Sequence, residues 1–198
     1  MVALVTLNIQ SKENMPTDTN RNGQITLILG GTRSGKSSFA QELAEKSGHK
    51  LLYIATAEAF DDEMTDRIHR HQQDRGPNWQ TVEENRDIAS VIAVHSARQV
   101  TLLIDCLTIW LSNLMLAEAD IDAAVDQLVK TLSTAQGSII LVSNEVGSGI
   151  VPESALGRRF RDESGWMNQR MATAAHNVAL ITAGLPLWLK RQPAEKIL

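Results

Sequence analysis

Apolar runs of four to six residues, at 25–29, 51–55, 101–104, 139–142 and 178–183, alternate along this chain with longer, mixed stretches. Runs so short and so continuously apolar read as strands buried on both faces. The mixed stretches predict helices over 36–46, 62–75, 87–98, 122–135 and 154–176. Several begin at Asp or Ser, and the first, second and fourth stop at Gly48, Gly76-Pro77 and Gly137, which is the polarity that capping chemistry demands. A short strand at 81–82 and a last one at 185–189, tied to its predecessor through Gly184, bring the count to about seven. Strand–helix alternation predicts a mostly parallel sheet covered on both faces, and the tight final link predicts that the last strand runs antiparallel.

Ligands of such sheets bind beyond the carboxyl ends of the strands. The first strand is followed there by Gly30-Gly31-Thr32-Arg33-Ser34-Gly35-Lys36-Ser37, a complete G-x-x-x-x-G-K-[ST] between a strand and a helix. Glycines let the backbone curl its N–H groups inward, and those donors, with the positive helix end, hold phosphate oxygens. Lys36 is expected to reach the β- and γ-phosphates and Ser37 to ligate Mg²⁺. The strand at 101–104 runs into Asp105, the pattern of an acid that holds Mg²⁺ or its water, although an Asp there also serves as a helix cap.

Composition narrows the partners. With 198 residues, 43% hydrophobic content and a net charge of −4, the chain predicts one catalytic domain over 25–198 and no nucleic-acid partner. One cysteine, Cys106, supports neither a disulfide nor a Cys-rich metal site, fits a reducing cytoplasm, and is expected to pack at a strand end. Residues 1–9 are apolar but lack the charged front and cleavage site of a signal peptide. Residues 10–24 are polar, and 1–24 is expected to be a flexible extension. No apolar run approaches the ~20 residues that span a bilayer.

Further candidates are less decided by spacing. Met64, Ile68 and His71 fall at i, i+4 and i+7, so His71 shares the apolar face of its helix, while His69 is turned about 160° away. His71 reads either as a satisfied core histidine or as a nucleophile whose neutral imidazole attacks phosphorus. Zinc is not expected, since two histidines at i, i+2 do not converge on a helix. Glu145, in the Gly-rich loop after the fourth long strand, orients a metal or a hydroxyl, or merely caps the next helix. Among Arg158, Arg159 and Arg161, spacing does not say which would clamp a phosphate. Trp79, Trp110, Trp166 and Trp188 are read as packing residues, or one of them as lying against a large ligand.

Beside the loop, Leu52-Tyr53-Ile54-Ala55-Thr56-Ala57, Arg67-Ile68 with His71, Trp79-Gln80-Thr81-Val82-Glu83-Glu84, Asn144-Glu145-Val146-Gly147-Ser148-Gly149-Ile150-Val151-Pro152 and Phe160-Arg161-Asp162 complete a pattern. So do Asn168-Gln169-Arg170 and Ala183-Gly184-Leu185-Pro186-Leu187. From residue 25 to about 190 the chain resembles the bifunctional adenosylcobinamide kinase and adenosylcobinamide-phosphate guanylyltransferases of cobalamin biosynthesis. The loop is generic, whereas Asn-Glu-Val-Gly-x-Gly-Ile-Val-Pro together with Arg-Ile-x-x-His is distinctive.

The resemblance implies an α/β P-loop (RecA-like) three-layer fold and two reactions, with adenosylcobinamide, ATP and GTP as substrates. The first is phosphorylation of adenosylcobinamide, and the second is GMP transfer through a covalent guanylyl-histidine. It puts that histidine at His71, with His69 as the fallback, and counts Lys36 and Glu145 as catalytic. Gly30, Gly31, Thr32, Arg33, Ser34, Gly35, Lys36, Ser37, Ser38 and Glu83 become nucleotide contacts, and Ser37 and Asp105 the Mg²⁺ ligands. It further implies a cytoplasmic homo-oligomer, specifically a trimer, and gives the N-terminal extension no role. Two rival readings are a monofunctional phosphate-loop kinase and a slow nucleotide-dependent switch.

Overall fold

A computed structural model describes residues 23–57 and 76–192. The predicted helix at 62–75, with His69 and His71, lies outside the described residues, as does the extension before Gly23. Among the described residues, seven strands form one sheet: β1 (Ile25–Gly30), β2 (Lys50–Ala55), β3 (Trp79–Glu83), β4 (Val100–Asp105), β5 (Ser138–Asn144), β6 (Asn177–Thr182) and β7 (Leu185–Lys190). Their order is β3-β2-β4-β5-β1-β6-β7, parallel throughout except for the antiparallel β6–β7 pair. That pair turns on Ala183 and Gly184, whose positive φ values of 51° and 78° suit the right-handed twist of a two-residue hairpin.

β1 is buried at all six positions, so its sequence carries no polar alternation. Alternate side chains of the strands nonetheless go to opposite faces. Leu27, Leu102, Ile104, Ile139 and Leu141 enter one cluster with α2 (Ile88–His95), α3 (Leu107–Leu116), α4 (Ile121–Thr134) and α5 (Ala155–Ala174). Ile28, Leu103, Ile140, Val142 and Ile181 enter the other, against Ala40 and Ala44 of α1 (Lys36–Glu45). The phosphate loop and α1 therefore belong to one face of the sheet, and the other four described helices to the opposite face.

Several boundaries differ from expectation. α3 was not expected: it is apolar nearly all round, with seven of its ten residues buried, so it has no amphipathic stripe to read. α4 is capped by Asp120, whose side chain accepts from Ala123 N–H at 3.0 Å, while Asp122 and Asp126 pair with Arg170 of α5. α2 stops at His95 because Ser96 turns extended and its hydroxyl accepts from the Gln136 and Gly137 N–H groups. α5 stops at Ala174, since His176 instead pairs with the start of β1: its N–H donates to Ile25 O and its Nδ1 accepts from Ile25 N–H. Trp110 is a core residue whose Nε1 donates to Arg86 O. Trp79 meets Tyr53 edge-on, and Trp188 meets Phe39. Trp166 departs from the packing expectation, being 59% exposed.

Candidate active site

The chain leaves β1 at Gly30 and re-enters helix at Lys36. Between them, Ser34 N–H donates to Gly31 O at 3.2 Å, and Lys36 Nζ donates to the same carbonyl at 3.2 Å. Gly35 precedes the helix at φ 93°, a left-handed conformation that L side chains resist. Gly184 of the β6–β7 turn donates its N–H to Ser34 O at 2.9 Å, so the hairpin braces the loop from outside. Ser34, Lys36 and Ser37 are half-buried, whereas Gly31, Thr32, Arg33, Gly35 and Ser38 are exposed. The loop is thus largely open to solvent and to a ligand.

Gly30 answers a different need. A Cβ there would lie 2.5 Å from Ser34 Oγ and 2.7 Å from the Ile181 carbonyl oxygen, so backbone would have to move. Gly30→Ala is expected to cost about 1–3 kcal/mol of stability and to weaken nucleotide binding by deforming the loop. Thermal unfolding and fluorescent-nucleotide titration check both effects.

Asp105 ends β4 two strands from β1. Strand alternation carries Leu103 and then Asp105 to the α1 face, the same side as the loop. Its Oδ2 is cut off from solvent and has no hydrogen-bond partner, and the same holds for Ser34 Oγ and Asn144 Oδ1. Native proteins seldom leave buried polar atoms unpaired, and here three converge on the carboxyl ends of three neighbouring strands. Thr56 secures the turn after β4: its hydroxyl donates to Cys106 O and accepts from Cys106 N–H, both at 2.9 Å.

Cys106 reports on the local field. Burial pushes its thiol up from 9.0 to about 11, with the Asp105 charge adding to the rise and the Lys36 charge opposing it. The raised value favours the neutral thiol in the folded protein. Its contribution to stability is complete below pH 9 and is lost as pH climbs from 9 through about 11. At pH 8, a shift of this size lowers the thiolate fraction about a hundredfold. Iodoacetamide is therefore expected to label native Cys106 at least that much more slowly than the urea-unfolded chain, and equal rates would contradict the burial.

Other predicted residues are placed differently. Glu145 follows β5 and donates its N–H to Gly30 O at 3.1 Å, which sets it beside the loop. Its carboxylate turns back on its own segment, Oε1 accepting from Gly147 N–H at 2.7 Å. Arg161 donates to Gly147 O and Arg158 to the carbonyls of Pro152 and Glu153. Arg159 pairs with Glu163. The first two arginines thus shape the 147–153 loop. Glu83 is exposed at the end of edge strand β3, four strand spacings or about 19 Å across the sheet from β1, and is not brought to the loop. Thr56, Thr108 and Asn168 were not singled out individually, because what joins them to the site is tertiary contact.

Residues 26–189 match the family described as cobinamide kinase / cobinamide phosphate guanyltransferase. The chain belongs to this family. It is 45% identical over 169 residues to the bifunctional adenosylcobalamin biosynthesis protein CobP of Pseudomonas aeruginosa, covering 84% of this chain and 98% of that one. It is 37% identical over 179 residues to its counterpart CobU of Escherichia coli, covering 83% and 98%. Among solved structures, a Pyrococcus horikoshii protein overlays with TM-score 0.56 at 9% identity, covering 89% and 91% of the two chains. The RadB recombinase does so with 0.50 at 14%, covering 80% and 74%. At these identities the overlays speak to the fold alone.

The stretch matched to the cobinamide kinase / guanyltransferase family includes the phosphate loop, Asp105 and Glu145, and also His71. A hard divalent cation prefers oxygen ligands, and the unpartnered Asp105 Oδ2, on the same face as Ser37, fits that requirement.

Proposed function

We propose that this protein phosphorylates adenosylcobinamide with ATP or GTP and then transfers GMP from GTP to adenosylcobinamide phosphate, giving adenosylcobinamide-GDP and pyrophosphate. The observation that carries this reading is the family match over residues 26–189. Relatives named as bifunctional, matched over 98% of their length, support two activities in one chain.

In the first reaction the acceptor hydroxyl oxygen bonds to the γ-phosphorus, the bond to the β,γ-bridging oxygen breaks, and the hydroxyl proton is released with the nucleoside diphosphate. Little covalent work falls to the protein, so positioning and charge dominate. The loop N–H groups and Lys36 hold the β- and γ-phosphates, with Gly30, Gly31, Thr32, Arg33, Ser34, Gly35, Ser37 and Ser38 forming the cradle. Ser37 and Asp105 would hold Mg²⁺, which neutralises phosphate charge when bound. Glu145 orients the acceptor hydroxyl, and Glu83, distant from the loop, serves a part of the ligand other than the phosphates. In the second reaction the imidazole of His71 displaces pyrophosphate from the α-phosphorus of GTP, and an oxygen of adenosylcobinamide phosphate then displaces the histidine. The Arg67-Ile68-x-x-His71 spacing supports this assignment.

The same proposal makes the protein a cytoplasmic homo-oligomer, with a trimer as the specific expectation. Among the described residues no helix is long and apolar enough to cross a membrane. On edge strand β7, Leu185 and Leu187 share one face and are 70% and 43% exposed, as an uncovered apolar edge would be before assembly. Liquid chromatography with mass detection of reactions containing adenosylcobinamide, GTP and Mg²⁺ tests the function. The phosphate and then the GDP ester are expected; the phosphate alone would leave a monofunctional kinase, and neither product would overturn the reading.

A further inference from the structure

Asn144 closes β5, between the strand that launches the phosphate loop and the strand that ends at Asp105. By register it lies level with Gly30. Its main chain is held from both sides: Asn144 N–H donates to Thr108 Oγ1 at 2.7 Å, and Asn168 Nδ2 donates to Asn144 O at 3.1 Å. Ser143 ties these anchors together, its hydroxyl donating to Asn168 Oδ1 at 2.7 Å and lying 3.3 Å from Thr108 Oγ1. Three polar side chains from α3, β5 and α5 thereby fix one residue.

The side chain they position has no partner of its own. Asn144 Oδ1 is cut off from solvent and accepts no hydrogen bond. Alternation along β5 sends Val142 to the α1 face, Ser143 to the opposite face against Asn168, and Asn144 back to the α1 face. Gly30, Asn144 and Asp105 thus share that face on three adjacent strands spaced about 4.8 Å apart, Asn144 level with Gly30 and Asp105 level with Val142, one same-face position before Asn144. Asn144 Oδ1 and Asp105 Oδ2 are both buried acceptors that lack a donor. A hydrated cation supplies strongly polarised O–H donors, and carboxamide and carboxylate oxygens suit it.

We propose that Asn144 is a positioning residue for the divalent cation that accompanies the nucleotide: its Oδ1 accepts a hydrogen bond from a water on that cation, beside Asp105. The inference rests on the phosphate-loop part of the reading above and not on the corrinoid. It also gives the Thr108–Ser143–Asn168 network a purpose, since an outer-sphere acceptor acts only when its direction is fixed.

The test uses the full chain, Mn²⁺ as the probe and a non-hydrolysable β,γ-imido analogue of ATP, with free Mn²⁺ read by electron paramagnetic resonance. Asn144→Leu keeps the size and removes the acceptor, and is expected to weaken Mn²⁺ binding to the nucleotide complex roughly tenfold. Nucleotide affinity in EDTA should stay at the wild-type value. Asn144→Asp, which keeps an acceptor oxygen, should restore Mn²⁺ affinity, and this rescue separates the role from a merely structural one. Equal Mn²⁺ affinity in wild type and Asn144→Leu would overturn the proposal, as would failure of Asn144→Asp to rescue. Absence of nucleotide binding by the wild type would instead overturn the phosphate-loop reading on which it stands.

Discussion

Lys36→Ala is expected to lower the rate of phosphoryl transfer about 10²- to 10³-fold, the usual loss when one preorganised donor to developing phosphate charge is removed. Lys36 is the first residue of α1, so its backbone sits at the positive end of the helix, and its ammonium donates to Gly31 O within the loop. Its charge opposes that of Asp105 at the Cys106 thiol, so loop and acid share one local field. In the proposed cradle, loss of that ammonium would remove the only lysine donor to the phosphates and leave the remaining loop groups and the cation to carry the charge. Lys36→Arg should not restore the rate: it keeps the charge but replaces a compact ammonium with a wide planar fork. Single-turnover phosphorylation at saturating nucleotide separates this effect from weakened binding. A wild-type rate in Lys36→Ala would remove the loop from the chemistry.

The parts of this fold legible in the sequence are those in which one local signal suffices. β1, β4 and β5 announce themselves because strands covered on both faces must be continuously apolar, and the loop because its four fixed positions sit between a strand and a helix. α3 fails the same logic from the opposite side. Leu107–Leu116 is apolar nearly all round because α3 is enclosed on most sides, which blurs the 3.6-residue stripe that would have marked it. Helix ends depart from the sequence expectation where a tertiary bond overrides local propensity, as when Ser96 serves the turn at Gln136 and His176 pairs with Ile25.

The candidate site divides in the same way. Lys36, Ser37 and Asp105 are reached by counting from strand ends, and the structure sets all three on the α1 side of the sheet. Glu83 was reached through its neighbours in a sequence pattern, and the sheet order carries it to the far edge. Asn144 stood in plain view in the Gly-rich segment. Its importance is invisible in sequence because it depends on Asn168, 24 residues away, docking through α5.

His71→Ala is expected to abolish GMP transfer, by at least about a thousandfold, while leaving phosphorylation of the corrinoid alcohol near the wild-type rate. The asymmetry follows from the two reactions. The first is a direct in-line transfer between bound substrates and needs no protein nucleophile. The second, in the mechanism proposed above, proceeds by double displacement, and deleting the nucleophile would leave no group to accept GMP. Incubating wild-type protein with GTP and Mg²⁺ should therefore yield an acid-labile adduct of one GMP on the peptide containing His71. The adduct should be absent in His71→Ala and retained in His69→Ala, since the helical period expects position 69 to face away from position 71. Lys36→Ala should form it slowly if, as proposed, the same loop holds the triphosphate for both steps. Undiminished GMP transfer by His71→Ala would move the nucleophile to another residue, and an unmodified wild-type protein under conditions of demonstrable GTP binding would favour a phosphate-loop kinase without covalent chemistry.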